Sequence, residues 1–410
     1  MRQCLFAVFF LFVVLAPVPG LAAGAGFVVV DGKTLKTPDG QPFLIRGISL
    51  GNWLMPEGYM FKFKVAKSPR QISDALARLV GTQGALSFWQ AFRERYVTAE
   101  DIAFIASLGF NVVRVPLHYR LFMREGEAPE DPPTFAGEGW QLLDRLIGWA
   151  KAAGVRVVLD LHAAPGGQTG INHDDGSGYP LLFYVARHQR ATIALWRALA
   201  ERYAEEPTVL GFDLLNEPIA PYHDTVLLNP RLEPFYQRIV AAIRAVDRQH
   251  IVFLAGGQWS SEFRLFGPPF DSQAVYTYHQ FWSTPRRAAI AKYIDFANRY
   301  QVPVWLGETG EASDEWNRAF RTLHEQEGIG WAFWAYKNLD TPSSVVSIRR
   351  PAGWERVVAA VDGVGAGGAA AGGGEGDVAM VLAEYLENLA LAACTLNRGY
   401  IASLGLTVAP

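Results

Sequence analysis

Apolar residues along the chain alternate between two rhythms. Eight runs of strand length are almost continuously hydrophobic: "PFLIRGISLG" (42–51), "NVVRVPL" (111–117), "VRVVLDLH" (155–162), "VLGFDLLNE" (209–217), "IVFLAGG" (251–257), "AVYTYHQ" (274–280), "VPVWLGET" (302–309) and "GWAFWAYK" (330–337). Most of the stretches between them carry a helical period. "TAEDIAFIASLG" opens with a capping-box signal at Thr98, "WQLLDRLIGWAKAAG" ends on Gly154, and "DEWNRAFRTLHEQEG" ends on Gly328. Strands buried on both faces read as unbroken apolar runs, so these belong to a parallel sheet covered by helices. Eight strands in β/α alternation predict a closed (β/α)8 TIM barrel. No Gly-rich phosphate fingerprint follows the first run, which argues against an open doubly wound sheet.

The pattern also sets boundaries. Residues 1–25 combine Met1, Arg2 and a short apolar run with Pro17, Pro19 and small residues, which predicts a cleaved secretory signal and a secreted product, with an uncleaved membrane anchor as the alternative. A catalytic domain is expected over 26–361, starting with a hairpin turned at "PDG". Residues 52–97 form a long excursion after the first strand, on the face where barrel loops build binding sites, and are expected to wall a cleft. "DGVGAGGAAAGGGEGD" (362–377) reads as a flexible Gly/Ala segment, and 378–410 as a helix completing the barrel. Cys4 would leave with the signal. Cys394 then has no disulfide partner and is expected as a small apolar residue in a helical stretch.

Charge narrows the partners. The 37 Lys and Arg against 40 Asp and Glu, with no long basic run, argue against nucleic acid or an anionic membrane surface as the main partner. Stable membrane insertion is not expected once the signal is removed, and the protein is expected to be a monomer. Twelve Trp suit a ligand that is part apolar and part hydroxylated.

Barrel enzymes work at the C-terminal ends of their strands. Those ends offer Trp53 beyond strand 1, Arg114, His162, Asn216 with Glu217, His279, Glu308 and Trp334. Two carboxylates facing each other are what glycoside hydrolysis needs, one protonated to serve the leaving oxygen and one ionised to meet the anomeric carbon. Nothing has metal-ligand spacing, so neither metal nor cofactor is expected. Each residue has a plainer reading too. Glu217 and Arg114 would serve as ion-pair partners, His162 and His279 as core histidines, and Trp53 and Trp334 as packing. Glu57 and His118 are weaker candidates, and Glu311 reads as a solvated loop charge.

"RVP", "DLH", "LLNEP", "YHQ", "GETG" and "FWAYKN", in this order, resemble the family 5 glycoside hydrolases, a group of retaining barrel enzymes, over about residues 40–340. The resemblance implies Glu217 as general acid/base and Glu308 as nucleophile. It further implies Asn216 on the sugar 2-hydroxyl, Arg114 and His279 positioning the carboxylates, and His162 and Trp334 lining the subsite of the attacked sugar. "SLGNWLMPEGY" and "DLHAAPGGQTGINHDDGSG" are closer to the exo-β-1,3-glucanase branch, where the Glu matching Glu57 contacts the terminal sugar. The family commonly has His-x-Tyr on strand 6, with the tyrosine bonded to the nucleophile, whereas this chain has Phe281. Either that bond is lost or Tyr278 or Tyr336 supplies it. The expected function is a retaining β-glycosidase on β-glucan, with exo attack on β-1,3 linkages favoured. An endo-β-1,4-glucanase and a non-catalytic glycan-binding barrel are the alternatives. Glu217 is expected to hold a raised pKa and Glu308 to stay ionised beside Arg114.

Overall fold

The structure is a computed structural model that describes residues 26–124, 132–367 and 375–408. The expected signal (1–25) and residues 368–374 of the Gly/Ala segment lie outside the described residues.

Eight parallel strands close into a barrel in sequence order: β1 (Arg46–Ser49), β2 (Val112–His118), β3 (Arg156–Ala163), β4 (Val209–Asp213), β5 (Ile251–Ala255), β6 (Ala274–His279), β7 (Val304–Gly310) and β8 (Gly330–Trp334), with β8 pairing back to β1. The near-continuous apolar runs follow from this closure, because every strand has one face in the barrel and the other under helices. Val112, Val158, Leu210, Phe253, Val275, Trp305 and Ala332 fill the bottom of the barrel. Val28 and Leu35, from an N-terminal hairpin (Val29–Asp31 with Thr34–Lys36), pack into the same cluster and plug that end. The hairpin turns at Gly32 and Lys33 rather than at "PDG", which instead makes the next turn, around Gly40, before the chain enters β1.

Two strands end irregularly on the opposite face. Register shifts fall between Tyr278 and His279 on β6 and between Leu306 and Thr309 on β7, and they bring His279 opposite Glu308. Bulges of this kind re-aim side chains at strand ends. Gly307 is required beside Glu308, since a Cβ there would lie 2.3 Å from Thr277 Oγ1.

The excursion after β1 includes helix α1 (Pro69–Tyr96), opened by a Ser68 capping box with Pro69 in the first turn. Its Phe88 and Phe92 meet Tyr385 of a C-terminal helix, α3 (Glu375–Glu387), which also stacks on Trp354 of α2 (Trp354–Gly365). Residues 378–408 therefore differ from the single helix expected over 378–410. They comprise most of α3, a 3-10 turn, a two-residue strand and a short helix, α4 (Arg398–Ser403), and α3 braces the excursion. Helix α2 also runs into the expected flexible segment as far as Gly365. Cys394 lies at the end of the 3-10 turn, half-buried and free.

Candidate active site

Arg114 is the centre of the polar cluster at the top of the barrel. It has no exposure, and its guanidinium touches four side chains at once. Nε donates to Asp213 Oδ2 (2.9 Å), a terminal nitrogen donates to Asn216 Oδ1 (2.9 Å) and lies 3.1 Å from Asp160, and the other terminal nitrogen contacts Glu308 directly. A buried cation is tolerated only when paired, and three carboxylates here share one planar fork. Burial works to lower the Arg114 pKa, but Asp160, Glu308 and Asp213 override it and raise it. Burial pushes Asp160 and Asp213 up to about 7, with Arg114 opposing.

The bonds around Asn216 fix a tautomer. Because Asn216 Oδ1 accepts from Arg114, its Nδ2 donates to His162 Nε2 (3.2 Å), which leaves the His162 proton on Nδ1, donating to Asp160 (2.8 Å). Burial lowers the His162 pKa to about 4, so the ring is neutral. His162 also stacks on Trp334, with ring centroids 5.7 Å apart.

Glu217 lies four residues beyond Asp213, the last residue of β4, rather than on the strand itself. Its φ is +44°, left-handed and directly before Pro218, a conformation disfavoured twice over. The loop after β3 holds it there. Thr169 Oγ1 donates to the Glu217 carbonyl (2.8 Å), Gln168 Nε2 donates to the Asn216 carbonyl (2.9 Å), and Ile219 N donates to the Gln168 carbonyl (2.9 Å). Strain of this kind persists only where the surroundings enforce it, and it gathers at working sites.

His279 stands between the two glutamates. Its Nδ1 is 3.0 Å from Glu217 Oε1 and 3.6 Å from Glu308 Oε2. Burial lowers its pKa to about 3, so it too is neutral. Oxygen atoms of Glu217 and Glu308 lie within 4.8 Å of one another. The expected asymmetry needs correction at Glu308, the more buried carboxylate at 6% exposure. Burial raises its pKa, against the downward pull of Arg114, His279 and His162.

A cleft of about 560 Å³ opens above this cluster. Glu57, His162, Asn216, Glu217, His279, Glu308 and Trp334 all line it. Trp53 does not. It is fully buried behind the first loop, its indole N–H donating to the Arg93 carbonyl (2.7 Å), because the chain turns inward at Asn52 (φ +70°). His118 also lies outside the cleft wall, 3.4 Å from Asp175. Glu311 corrects in the other direction. It lines the cleft beside Tyr59, to which it is hydrogen-bonded, and burial raises its pKa. Tyr59 in turn accepts from the Trp334 indole (2.6 Å). Burial, then Glu308, Glu311 and Glu217, raise Glu57 well above the usual carboxylate range.

Neither tyrosine substitutes for the hydroxyl missing at Phe281. Tyr278 is buried and stacked on Tyr293 (3.7 Å), and Tyr336 donates to Asp101 (2.7 Å). Phe281 itself lines the cleft and packs against the cluster of Met60, Trp334 and Ala335. Sequence reasoning passed over Asp160, Asp213, His173, Tyr59, Trp259 and Trp282. Asp160 was findable, since it lies two residues before His162 and so points to the same face of β3. His173 Nε2, 3.4 Å from Glu217 Oε2, comes from a loop with no periodic signal.

Among the described residues, two triplets have ligand atoms close enough to meet a cation, Asp160/His162/Glu308 and Glu217/His279/Glu308. Both share Glu308, which already meets the Arg114 guanidinium, and a dication there would face that fixed positive charge.

The family model for cellulase, glycosyl hydrolase family 5, matches residues 74–340, well over half of the chain. The chain belongs to glycosyl hydrolase family 5. It is a glycoside hydrolase on a TIM barrel. A β-xylosidase of Phanerodontia chrysosporium is 30% identical over 350 residues, covering 76% of this chain and 71% of that one. A probable glucan 1,3-β-glucosidase A of Aspergillus clavatus is 28% identical over 298 residues, covering 69% of each. Among solved structures, an endogalactoceramidase superposes with a TM-score of 0.60 at 19% identity, over 92% of this chain and 84% of that one. Thermotoga maritima Cel5A with mannotriose gives 0.52 at 18% identity, over 72% and 90%. The two superpositions speak for the fold. No helix among the described residues is long and apolar enough to cross a membrane.

Proposed function

We propose that this glycoside hydrolase is a secreted, retaining exo-β-glucosidase of β-glucan, with β-1,3 linkages favoured, in which Glu308 is the nucleophile and Glu217 the acid/base. The observation that carries the reading is the approach of the two carboxylates to within 4.8 Å. Retaining enzymes hold them about 5–5.5 Å apart, whereas inverting enzymes need roughly 6.5–9.5 Å to admit a water.

In the first step a Glu308 oxygen attacks the anomeric carbon while Glu217 gives its proton to the departing glycosidic oxygen. Arg114, in contact with Glu308, holds the nucleophile in place and opposes its protonation. Neutral His279 serves both states of Glu217: Nδ1 accepts from the acid or, in the other tautomer, donates to the carboxylate. In the second step Glu217 takes a proton from water, which attacks the glycosyl ester and frees Glu308 with the configuration restored. Asn216, with its oxygen held by Arg114, presents its amide nitrogen for the sugar 2-hydroxyl. Trp334 and His162 face the attacked sugar.

The exo mode is supported by the first loop. Glu57 and Tyr59 stand beside Trp334 and Glu311 and close one side of the cleft. A Glu57 whose burial favours the protonated form both donates to and accepts from sugar hydroxyls. The relatives named glucan 1,3-β-glucosidase support the linkage, and the one named β-xylosidase makes an aryl xyloside a necessary comparison. The test is product analysis. Glucose released from laminarin without early loss of viscosity, and little action on carboxymethylcellulose, is expected; mixed oligosaccharides released early from either polymer would refute the exo reading.

A further inference from the structure

We propose that the cleft continues outward as a track for the leaving-group portion of a β-glucan chain, formed by Trp259, Tyr222, His223 and Tyr179; this rests on the glycosidase reading above. Glu57, Tyr59 and Glu311 come from the loops after β1 and β7, and Trp334 from the end of β8. Glu217 comes from the opposite side, after β4, flanked by the loops after β3 and β5. The proton donor serves the oxygen that departs, so the departing sugars lie on its side.

On that side four aromatic side chains form an unbroken row. Trp259 lines the cleft and meets Tyr222 edge-on at 6.0 Å, Tyr222 meets His223 at 4.8 Å, and His223 stacks with Tyr179 at 5.8 Å. Trp259, Tyr222 and Tyr179 are 38%, 61% and 64% exposed. Contiguous exposed aromatic surface marks a binding site more often than chance does. Each ring pairs an apolar face with a polar group at its edge, which matches a sugar with apolar C–H faces and a rim of hydroxyls.

The backbone under Trp259 supports the assignment. Gln258, Trp259 and Ser260 have φ of +54°, +57° and +58°, three consecutive left-handed residues, none of them glycine. L-residues other than glycine visit this region singly, because the Cβ crowds the following carbonyl oxygen. Ser261 Oγ bonded to the Gln258 carbonyl (2.7 Å) and Gly257 N bonded to the Glu262 carbonyl (3.1 Å) hold the turn, and its effect is to present the indole to the cleft.

The experiment compares kcat/KM for an aryl β-glucoside, for the β-1,3-gluco-oligosaccharide series from disaccharide to hexasaccharide, and for dodecyl β-glucoside, in the native enzyme and in Tyr222→Ala and Tyr179→Ala. In the native enzyme kcat/KM is expected to rise with oligosaccharide length. In the variants the ratio of hexasaccharide to aryl glucoside should fall about five- to tenfold, the loss of one ring contact. A native series flat beyond the disaccharide, or variants in which the ratio holds, overturns the track. A loss confined to dodecyl glucoside also overturns it and assigns the row to an acyl chain running on to the exposed Val226 and Leu227. Failure to cleave any of the three substrates would overturn the β-glucosidase reading, and the track with it.

Discussion

Replacing Arg114 tests how the nucleophile is kept in its working state. In Arg114→Met, Asp160, Asp213 and Glu308 lose their shared cation in a site with no exposure at the arginine. Breaking a buried ion pair from one side costs about 3–5 kcal/mol, a large part of a folding stability of roughly 5–15 kcal/mol. The melting temperature should therefore fall on the order of 10 °C. The chemistry should suffer more. Burial already raises Glu308 against the pull of Arg114, so removing the guanidinium lets it rise further. A neighbouring arginine lowers a carboxylic pKa by roughly 1–3, so the acid limb of kcat/KM should move up by about that much, with a loss of ~10- to 1,000-fold at a fixed pH on that limb. Arg114→Lys keeps the charge but not the fork, and should restore part of the limb's position without full activity. The assay is the pH dependence of kcat/KM on an aryl β-glucoside, with thermal unfolding of the same samples. An Arg114→Met enzyme that folds and keeps both its rate and its acid limb would refute the reasoning.

Other consequences follow from the same geometry. Trp53→Phe, lacking the bond to the Arg93 carbonyl, should cost about 1–2 kcal/mol by chemical denaturation and leave KM unchanged, because the residue lies behind the site. Glu57→Ala should raise KM for the disaccharide far more than it lowers the melting temperature, as measured by steady-state kinetics and calorimetry. Activity should survive exhaustive chelation, since Arg114 already meets the carboxylate shared by both possible cation triplets; loss restored by a divalent ion would show otherwise. Between about pH 7 and 4 two sets of buried groups pull stability in opposite senses. His162, His173 and His279, held neutral to about 4, 4 and 3, lose stability on acidification as the unfolded chain charges near 6.5. Asp160 and Asp213, raised to about 7, work in the opposite sense, since the folded state binds their protons first. Asp213→Asn removes one of the compensating groups, so its melting temperature should fall more steeply with acid, and an unchanged slope would contradict this.

The barrel was readable because its signal is redundant. Eight apolar runs and their intervening periods all encode the same closure, and an error of a few residues at any boundary, such as the end of β4 at Asp213 rather than Glu217, leaves it intact. Glu217, Glu308, Arg114 and His279 were readable because a charged group is costly at the end of an apolar run. What could not be read depends on where loops go. Trp53 and Glu311 lie in similar non-periodic stretches, yet a left-handed turn at Asn52 sends one inward and another at Glu311 (φ +51°) brings the other to the cleft. Asp213 sat within an apolar run, where its cost is offset only by an arginine on a different strand. The C-terminal helix was legible as a helix, but its docking on α1 depends on aromatic contacts between residues nearly three hundred positions apart.

Retention by double displacement requires Glu308 to form a bond to the sugar. The most direct measurement is incubation with a 2-fluoro mechanism-based β-glucoside, followed by mass spectrometry of the intact chain and its peptides. One glycosyl unit is expected on the peptide bearing Glu308, and none in Glu308→Gln; an enzyme that turns over aryl glucoside yet is never labelled, or is labelled at Glu217, would contradict a Glu308 nucleophile.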